Sequence, residues 1–101
     1  MIREYIISDE AIQDLEDISD YFLQVNVDAG EQLLKTFSQR CTHLVSFPRL
    51  GRSYAHVLPG LRSLPFRGFI ILYHVKETLS SLTIEILRVV NGRRNLADLF
   101  R

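Results

Sequence analysis

The period of the hydrophobic pattern changes at Pro48, and this change limits the fold more than any other feature of the chain. Between residues 9 and 46, apolar residues recur every three or four positions, as they do along one face of an α-helix. After Pro48 comes a loop at 49–56, and beyond it the apolar residues alternate or form short runs, as in β-strands. Helices grouped before strands are typical of an α+β domain, in which the helices cover one face of a sheet.

Two amphipathic helices are predicted before Pro48. The first spans 9–25 and begins after Ser8, whose hydroxyl is a good N-cap acceptor. The second follows a short connector and is predicted to begin with Asp28 as its cap. It ends near residue 46, because a proline two residues later cannot continue a helix. Two such helices joined by a short link form a helical hairpin.

Four strands and a terminal helical turn complete the pattern. Pro65 lacks an N–H donor, which places its strand at a sheet edge or bulge. We therefore predict one α+β domain over residues 1–101, in the order β-α-α-β-β-β, with the N-terminal strand and helical hairpin packed on one face of an antiparallel sheet. The other face is expected to be solvated or open to a partner. The predicted strands span 2–7, 61–66, 69–75 and 82–90, and the helical turn spans 94–101.

Charge is divided unevenly along a chain whose formal net charge is +0. Residues 1–31 carry nine acidic residues and one basic residue, whereas residues 32–101 carry eleven basic residues and three acidic ones. Such a division fits two faces with different partners, and it fits equally well two segments that neutralise each other in the fold. Gln13, Glu16, Asp17 and Asp20 of the first helix fall away from its apolar stripe, so we expect the helix to turn a strongly acidic face to solvent.

Composition narrows the class of protein. Cys41 is the only cysteine, so no internal disulfide can form, which is typical of a reducing compartment. The first residues lack the pattern of a signal peptide, and the longest apolar run, Phe69 to Tyr73, is far shorter than the ~20 residues that span a bilayer. The sequence therefore predicts a soluble cytoplasmic protein with no membrane contact.

No metal or cofactor is predicted. The three histidines have no cysteine or carboxylate at metal-ligand spacing, and one cysteine cannot build a structural zinc site. Cys41 lies on the apolar stripe of the second helix, where burial raises the pKa of a thiol and makes it inert. No glycine-rich phosphate loop is present.

Arginines in or beside the predicted strands are the strongest functional signal. Arg88 interrupts an apolar run, which is unfavourable unless the guanidinium reaches water or an anion. If the strands pair in antiparallel fashion, the arginines converge on one surface, where their forked donors suit phosphate or carboxylate. The alternative is a solvated basic edge that prevents strand aggregation. The arginines in question are Arg62, Arg67, Arg88, Arg93 and Arg94.

Four segments of the chain, taken in order, are similar to a known superfamily. They read YIISDEAIQDLEDISDYF, FPRLGR, PGLRSLPFRGFIILYHV and ILRVVNGRRNLADLF. Together they resemble the ParE/RelE superfamily of type II toxin–antitoxin toxins, in its acidic first helix, proline-glycine loop, central hairpin and arginine-rich last strand. The resemblance covers about residues 3–100. It implies a bacterial toxin with a sheet behind a helical hairpin and a cognate antitoxin that wraps the toxin. The resulting complex can be a heterotetramer.

The resemblance leaves two targets open. RelE-like members cleave mRNA in the ribosomal A site without a metal, whereas ParE-like members poison DNA gyrase and show no known nuclease activity. RelE-like toxins tend to supply a lysine- and arginine-rich cluster and a C-terminal tyrosine or histidine. This chain has only Lys35 and Lys76 as lysines, Asn91 where many relatives have histidine, and Phe100 near the tyrosine position. Asparagine cannot exchange a proton near neutral pH, so the groups for general acid–base chemistry are missing.

We therefore favour a ParE-like toxin that acts by binding, with gyrase as its target, no cofactor and no assigned catalytic residue. The alternative is a RelE-like, metal-independent mRNA endoribonuclease acting on the ribosome, in which His74 or Tyr73 would substitute for the missing groups. A third hypothesis is an inactive module that only binds the antitoxin. The residues predicted to contact the target or the antitoxin are Arg62, Arg67, Arg88, Asn91, Arg93 and Arg94.

Overall fold

The computed structural model describes residues 1–100 and has an α+β fold in which two helices pack on a five-stranded sheet. This confirms the predicted fold class and the order of its main elements. The predicted terminal turn is a 3₁₀ helix, and Arg101, its last predicted residue, lies outside the described residues. The elements are β1 (Ile2–Ile7), α1 (Asp9–Val25), α2 (Val27–Ser46), β2 (Arg52–Ser53), β3 (Arg62–Phe66), β4 (Phe69–Glu77), β5 (Ser81–Asn91) and the 3₁₀ helix (Leu96–Phe100).

The sheet is mixed rather than purely antiparallel. Its strand order is β1-β5-β4-β3-β2, and neighbours from β5 to β2 pair in antiparallel fashion as predicted. β1 instead runs parallel to β5, with Ile2 opposite Ser81 and Ile7 opposite Ile86. The two-residue strand β2 lies within the segment predicted as a loop. Side-chain alternation reports which face a residue occupies and carries no information on strand direction, so the sequence pattern could not separate the two arrangements.

The helical hairpin begins as predicted but turns more sharply. Ser8 caps α1, since its Oγ accepts a hydrogen bond of 3.1 Å from the Ala11 backbone N–H. The prediction of Asp28 as the cap of α2 is wrong, because α2 begins at Val27 and Asn26 is its N-cap. The side-chain Oδ1 of Asn26 accepts a hydrogen bond from the Ala29 backbone N–H. The backbone N–H of Asn26 donates to the Phe22 carbonyl. One residue thus ends the first helix and starts the second.

The main core lies between the hairpin and the sheet. Cys41 is fully buried in it, and burial raises the pKa of its thiol to about 12. The predicted inert core thiol is therefore confirmed. The buried members of this core are Ala11, Leu33, Phe37, Cys41, Leu44, Phe66, Ile71, Tyr73, Leu82, Ile84, Ile86 and Val89.

A second, smaller core covers the opposite face of the sheet. It consists of Leu61, Leu72, Val90 and Leu96, and half-buried residues of the loop before β3 and of the 3₁₀ helix pack around it. The expectation that this face is solvated or open to a partner is therefore wrong over the area of this core. The physical reason is that the C-terminal segment folds back across the sheet and removes its leucine side chains from water.

None of the helices within residues 1–100 has the length and hydropathy needed to cross a membrane.

Candidate interaction surface

The β3–β4 hairpin turns through Arg67 and Gly68, and Arg67 has a left-handed backbone. Its φ is 47°, and that of Gly68 is 83°. Arg67 is the one non-glycine residue with positive φ among those described. A two-residue hairpin loop with positive φ at both positions favours Asn-Gly, so arginine is an unfavourable choice here. The Arg67 Nε donates a hydrogen bond of 3.1 Å to Thr36 Oγ1 on α2, which fixes the direction of the guanidinium.

The end of β5 lies against this hairpin. The Gly92 N–H donates to the Gly68 carbonyl at 2.9 Å, and a Cβ at Gly92 would approach that same oxygen to 3.1 Å. Asn91 then forms a tight turn, because its Oδ1 accepts from the Arg93 N–H and its carbonyl accepts from the Arg94 N–H. Asn91 therefore serves as a turn former at the exit of the strand.

Four arginines surround this contact. Arg93 and Arg94 are exposed, and neither belongs to an ion pair between described residues. Arg67 and Arg40 line a cavity of about 440 Å³ that also includes Gly68 and Gly92. We call the surface formed by Arg40, Arg67, Arg93 and Arg94 the basic end. The sequence prediction missed Arg40, although its position four residues after Thr36 places both on one face of α2.

Arg62 does not belong to the basic end. It lies opposite Tyr73 in the sheet, five positions before Arg67, and its Nη1 donates to the Gly51 carbonyl at 2.8 Å. The Tyr73 hydroxyl accepts from the Gly51 N–H and donates to the Pro48 carbonyl, both at 2.8 Å. Burial raises the pKa of Tyr73, while the Gly51 hydrogen bond and the Arg62 charge lower it in part. These contacts hold the loop after α2 against the sheet.

Arg88 is also separate, because Asp14 neutralises it. The Arg88 Nε and Nη2 donate to the two carboxylate oxygens of Asp14 at 2.7 and 2.9 Å. The Val89 N–H donates to the same carboxylate at 2.9 Å. The hydrogen bond that Arg88 donates to Asp14 raises the pKa of Arg88, and burial opposes that shift. The prediction that Arg88 joins the other arginines on one anion-binding surface is therefore wrong.

A β-bulge explains how Arg88 reaches α1. Leu72 lies opposite Arg88 and Tyr73 lies opposite Ile86, so Leu87 has no opposite residue. The extra residue changes the direction of the strand locally, as bulges do. Leu87 packs against the second core, and Arg88 pairs with the helix. Because β1 ends opposite Ile86, it does not extend to Val89, and the Val89 N–H donates to the Asp14 carboxylate instead.

A second cavity, of about 350 Å³, lies beside the first and shares Ile70 and Gly92 with it. Tyr54, His56 and Arg94 line this cavity. The Tyr54 and His56 ring centroids are 5.3 Å apart. Neither residue was predicted to serve in proton transfer. The two that were, Tyr73 and His74, are poorly placed for it, since the Tyr73 hydroxyl is engaged with backbone and the Nε2 of His74 is buried with no hydrogen-bond partner in the described part of the chain.

The outer side of the helical hairpin carries an apolar groove. Ile12, Leu15 and Leu34 line a cavity of about 260 Å³ there, together with Ser19 and one charged residue, Glu16. Ile12 is 43% exposed. The acidic residues Glu16, Asp17 and Asp20 are exposed, which confirms the expectation that the acidic face of the first helix meets solvent.

Comparison with known proteins agrees with this fold. A chain solved in "Chromosomal ParDE TA system from P. aeruginosa" superposes with a TM-score of 0.71 at 20% identity, covering 90% of this chain and 96% of that one. The curated relative "Toxin ParE1" of Mycobacterium tuberculosis is 29% identical over 97 residues, which is 95% of this chain and 96% of the relative. "Toxin ParE3" of Caulobacter vibrioides is 41% identical over 54 residues, covering 54% of this chain and only 50% of that relative's length.

The family model described as "ParE toxin of type II toxin-antitoxin system, parDE" matches residues 5–96. The chain belongs to the ParE toxin family of type II toxin–antitoxin systems.

Proposed function

We propose that this toxin inhibits growth by binding DNA gyrase through its basic end, and that a cognate antitoxin neutralises it. Gyrase is the target that the family resemblance implies, and a toxin that binds gyrase would act in the cytoplasm. The observation that carries the proposal is the exposure of Arg93 and Arg94 without a carboxylate partner among residues 1–100. Exposed guanidinium groups held by a fixed turn are suited to forked hydrogen bonds with carboxylates of a partner.

The chemistry of the basic end supports binding rather than catalysis. A general acid or base must change its protonation state near the working pH. Arginine does not do so, and neither does the amide of Asn91, whose side-chain oxygen and backbone carbonyl instead accept the hydrogen bonds of the turn. A surface of this composition can hold an anionic partner in place, which is sufficient for a poison that acts by binding.

Charge reversal at Arg93 and Arg94 tests the proposal. We expect the variant Arg93→Glu/Arg94→Glu to raise the toxin concentration needed for half-inhibition of gyrase supercoiling by about 100-fold, since each hydrogen bond to a charged group contributes about 1.5–3 kcal/mol. Growth inhibition on expression should disappear as well. Arg49→Glu is the control, because Arg49 is an exposed arginine in the loop after α2 and should leave inhibition unchanged. Full inhibition by the double variant would contradict the proposal.

The second cavity favours one other candidate function, cleavage of mRNA on the ribosome. Breaking RNA at a 2′-hydroxyl requires an acid, a base and a cation for the developing charge, and a tyrosine, a histidine and an arginine line this cavity together. Primer extension on a translated mRNA separates the two functions. Codon-phased cuts that vanish with His56→Gln would establish that the toxin cleaves mRNA. If growth stops and no such cuts are found, the result supports gyrase as the target.

The groove of the helical hairpin is the surface we propose for the antitoxin. An amphipathic helix buries its apolar face in such a groove. We expect Ile12→Lys to weaken antitoxin binding by about tenfold or more, because burying an isoleucine side chain contributes about 1.5–3 kcal/mol. Leu79→Lys is the matched control, since Leu79 is fully exposed in the β4–β5 loop. Equal antitoxin affinities for the two variants in calorimetric titration would rule out the groove.

A further inference from the structure

Arg67 is held in a conformation that its residue type makes unfavourable. A left-handed backbone costs an L-residue with a Cβ about 1–2 kcal/mol, and asparagine or glycine adopts it more readily. The adjacent Gly68 also has a positive φ, and a Cβ at that position would have no heavy atom within 4 Å, so the turn is open to solvent at Gly68. Backbone strain of this kind is concentrated at functional sites, where a specific side chain is needed in that position despite the strained conformation.

The guanidinium of Arg67 is oriented but not neutralised. Its Nε donates to Thr36 Oγ1, whereas its two terminal nitrogens have no hydrogen-bond partner among the described residues, and Arg67 lines the cavity that Arg40 also lines. Arg40 follows Thr36 by one helical turn. The cavity has eight lining residues, and none of them is acidic. Two guanidinium groups that line one cavity without a carboxylate form a positively charged site, and a bound anion would neutralise it.

The rest of the cavity is apolar. Pro65, Phe66, Phe69 and Ile70 line it beside the two arginines. A phosphodiester backbone matches the arginines alone, and a nucleic acid would cover the apolar part only by stacking a base on it. An acidic peptide that carries a large apolar side chain next to an aspartate or glutamate matches both parts, since its carboxylate meets the arginines and its apolar side chain is removed from water.

We infer that the cavity between Arg40 and Arg67 binds a carboxylate and its neighbouring apolar side chain on an acidic segment of a protein partner. The inference rests on the proposed function, because it assigns a ligand class to one part of the basic end. It differs from that proposal in the residues it depends on, since Arg40 and Arg67 form this site whereas Arg93 and Arg94 carry the gyrase contact.

Fluorescence anisotropy with the full chain and a capped, labelled peptide Glu-Leu-Glu-Phe-Asp tests the inference. The peptide Gln-Leu-Gln-Phe-Asn is the uncharged control, and an oligouridylate of ten nucleotides is the competing anion. We expect the acidic peptide to bind at least tenfold more tightly than the uncharged one. We also expect Arg67→Asn and Arg40→Gln each to weaken that binding at least tenfold, and Arg49→Gln to leave it unchanged.

The choice of Arg67→Asn separates binding from folding. Asparagine suits the left-handed backbone, so the thermal midpoint of this variant should equal or exceed that of the parent chain. Unchanged peptide affinity in Arg67→Asn, equal binding of the two peptides, or displacement of the peptide by low concentrations of oligouridylate would each overturn the inference. Any of these results together with loss of gyrase inhibition in Arg93→Glu/Arg94→Glu would leave the proposed function standing.

Discussion

Asp14→Ala is expected to lower the free energy of unfolding by about 3 kcal/mol, as is typical when one partner of a largely buried ion pair is removed. The Asp14 and Arg88 side chains are only 13% and 24% exposed, so the pair is poorly screened by solvent. The variant leaves the Arg88 charge without its counter-ion and the Val89 N–H without an acceptor. Urea unfolding followed by circular dichroism measures the change.

Two further variants isolate the ion pair. Glu16→Ala removes an exposed carboxylate from the same helix and should change stability by less than about 0.5 kcal/mol. Asp14→Ala/Arg88→Met removes both charges, so its loss of stability should be smaller than the sum of the two single losses. Additive losses would show that Asp14 and Arg88 contribute independently. Because Arg88 supports the fold, weaker toxicity of an Arg88 variant reports on stability before it reports on target binding.

Gly51→Ala is expected to destabilise the protein by about 3 kcal/mol, at the upper end of what overpacking a buried position costs. A Cβ at this position would lie 2.5 Å from the Tyr73 hydroxyl oxygen and 2.7 Å from the Ser63 carbonyl oxygen. The clash is with backbone as well as with the side chain, so rotation of Tyr73 cannot relieve it. The loop must move away and lose the hydrogen bonds that join it to the sheet.

A comparison of glycines distinguishes this steric effect from backbone strain. Gly60 has a φ of 80°, and a Cβ at this position would meet only one heavy atom, Cδ2 of His74 at 3.9 Å. Gly60→Ala should therefore lower the free energy of unfolding by only about 1 kcal/mol, for the left-handed backbone alone. Tyr73→Phe should lose about 2 kcal/mol, because the buried Gly51 N–H is left without an acceptor. Equal losses in Gly51→Ala and Gly60→Ala would mean that the contact with Tyr73 and Ser63 is not what excludes a side chain.

Local patterns predicted the elements, and tertiary contacts decided what the arginines do. The periods of 3.6 and 2 identify α1, α2, β4 and β5, because each element buries one face or a continuous run. The cap of α2 was misplaced since Asn26 and Asp28 are both good caps and only the packing of the two helices selects between them.

The arginines show more clearly what local sequence patterns cannot predict. In the sequence Arg88 and Arg93 are similar basic residues near the end of one strand. In the fold one is bonded to Asp14, which is 74 residues away, and the other is exposed. No local spacing encodes which of several carboxylates on α1 will meet which arginine, because that depends on how the helix lies across the sheet and on the bulge at Leu87.

The pairing of the first strand with the last has a consequence for the timing of toxicity. β1 has β5 as its sole strand partner among the described residues, so β1 cannot pair until β5, more than seventy residues later in the chain, has been synthesised. Arg93 and Arg94 follow β5 directly and are synthesised later still. A product that terminates before β5 therefore lacks both the strand that pairs with β1 and two arginines of the basic end, and we expect it to be inactive.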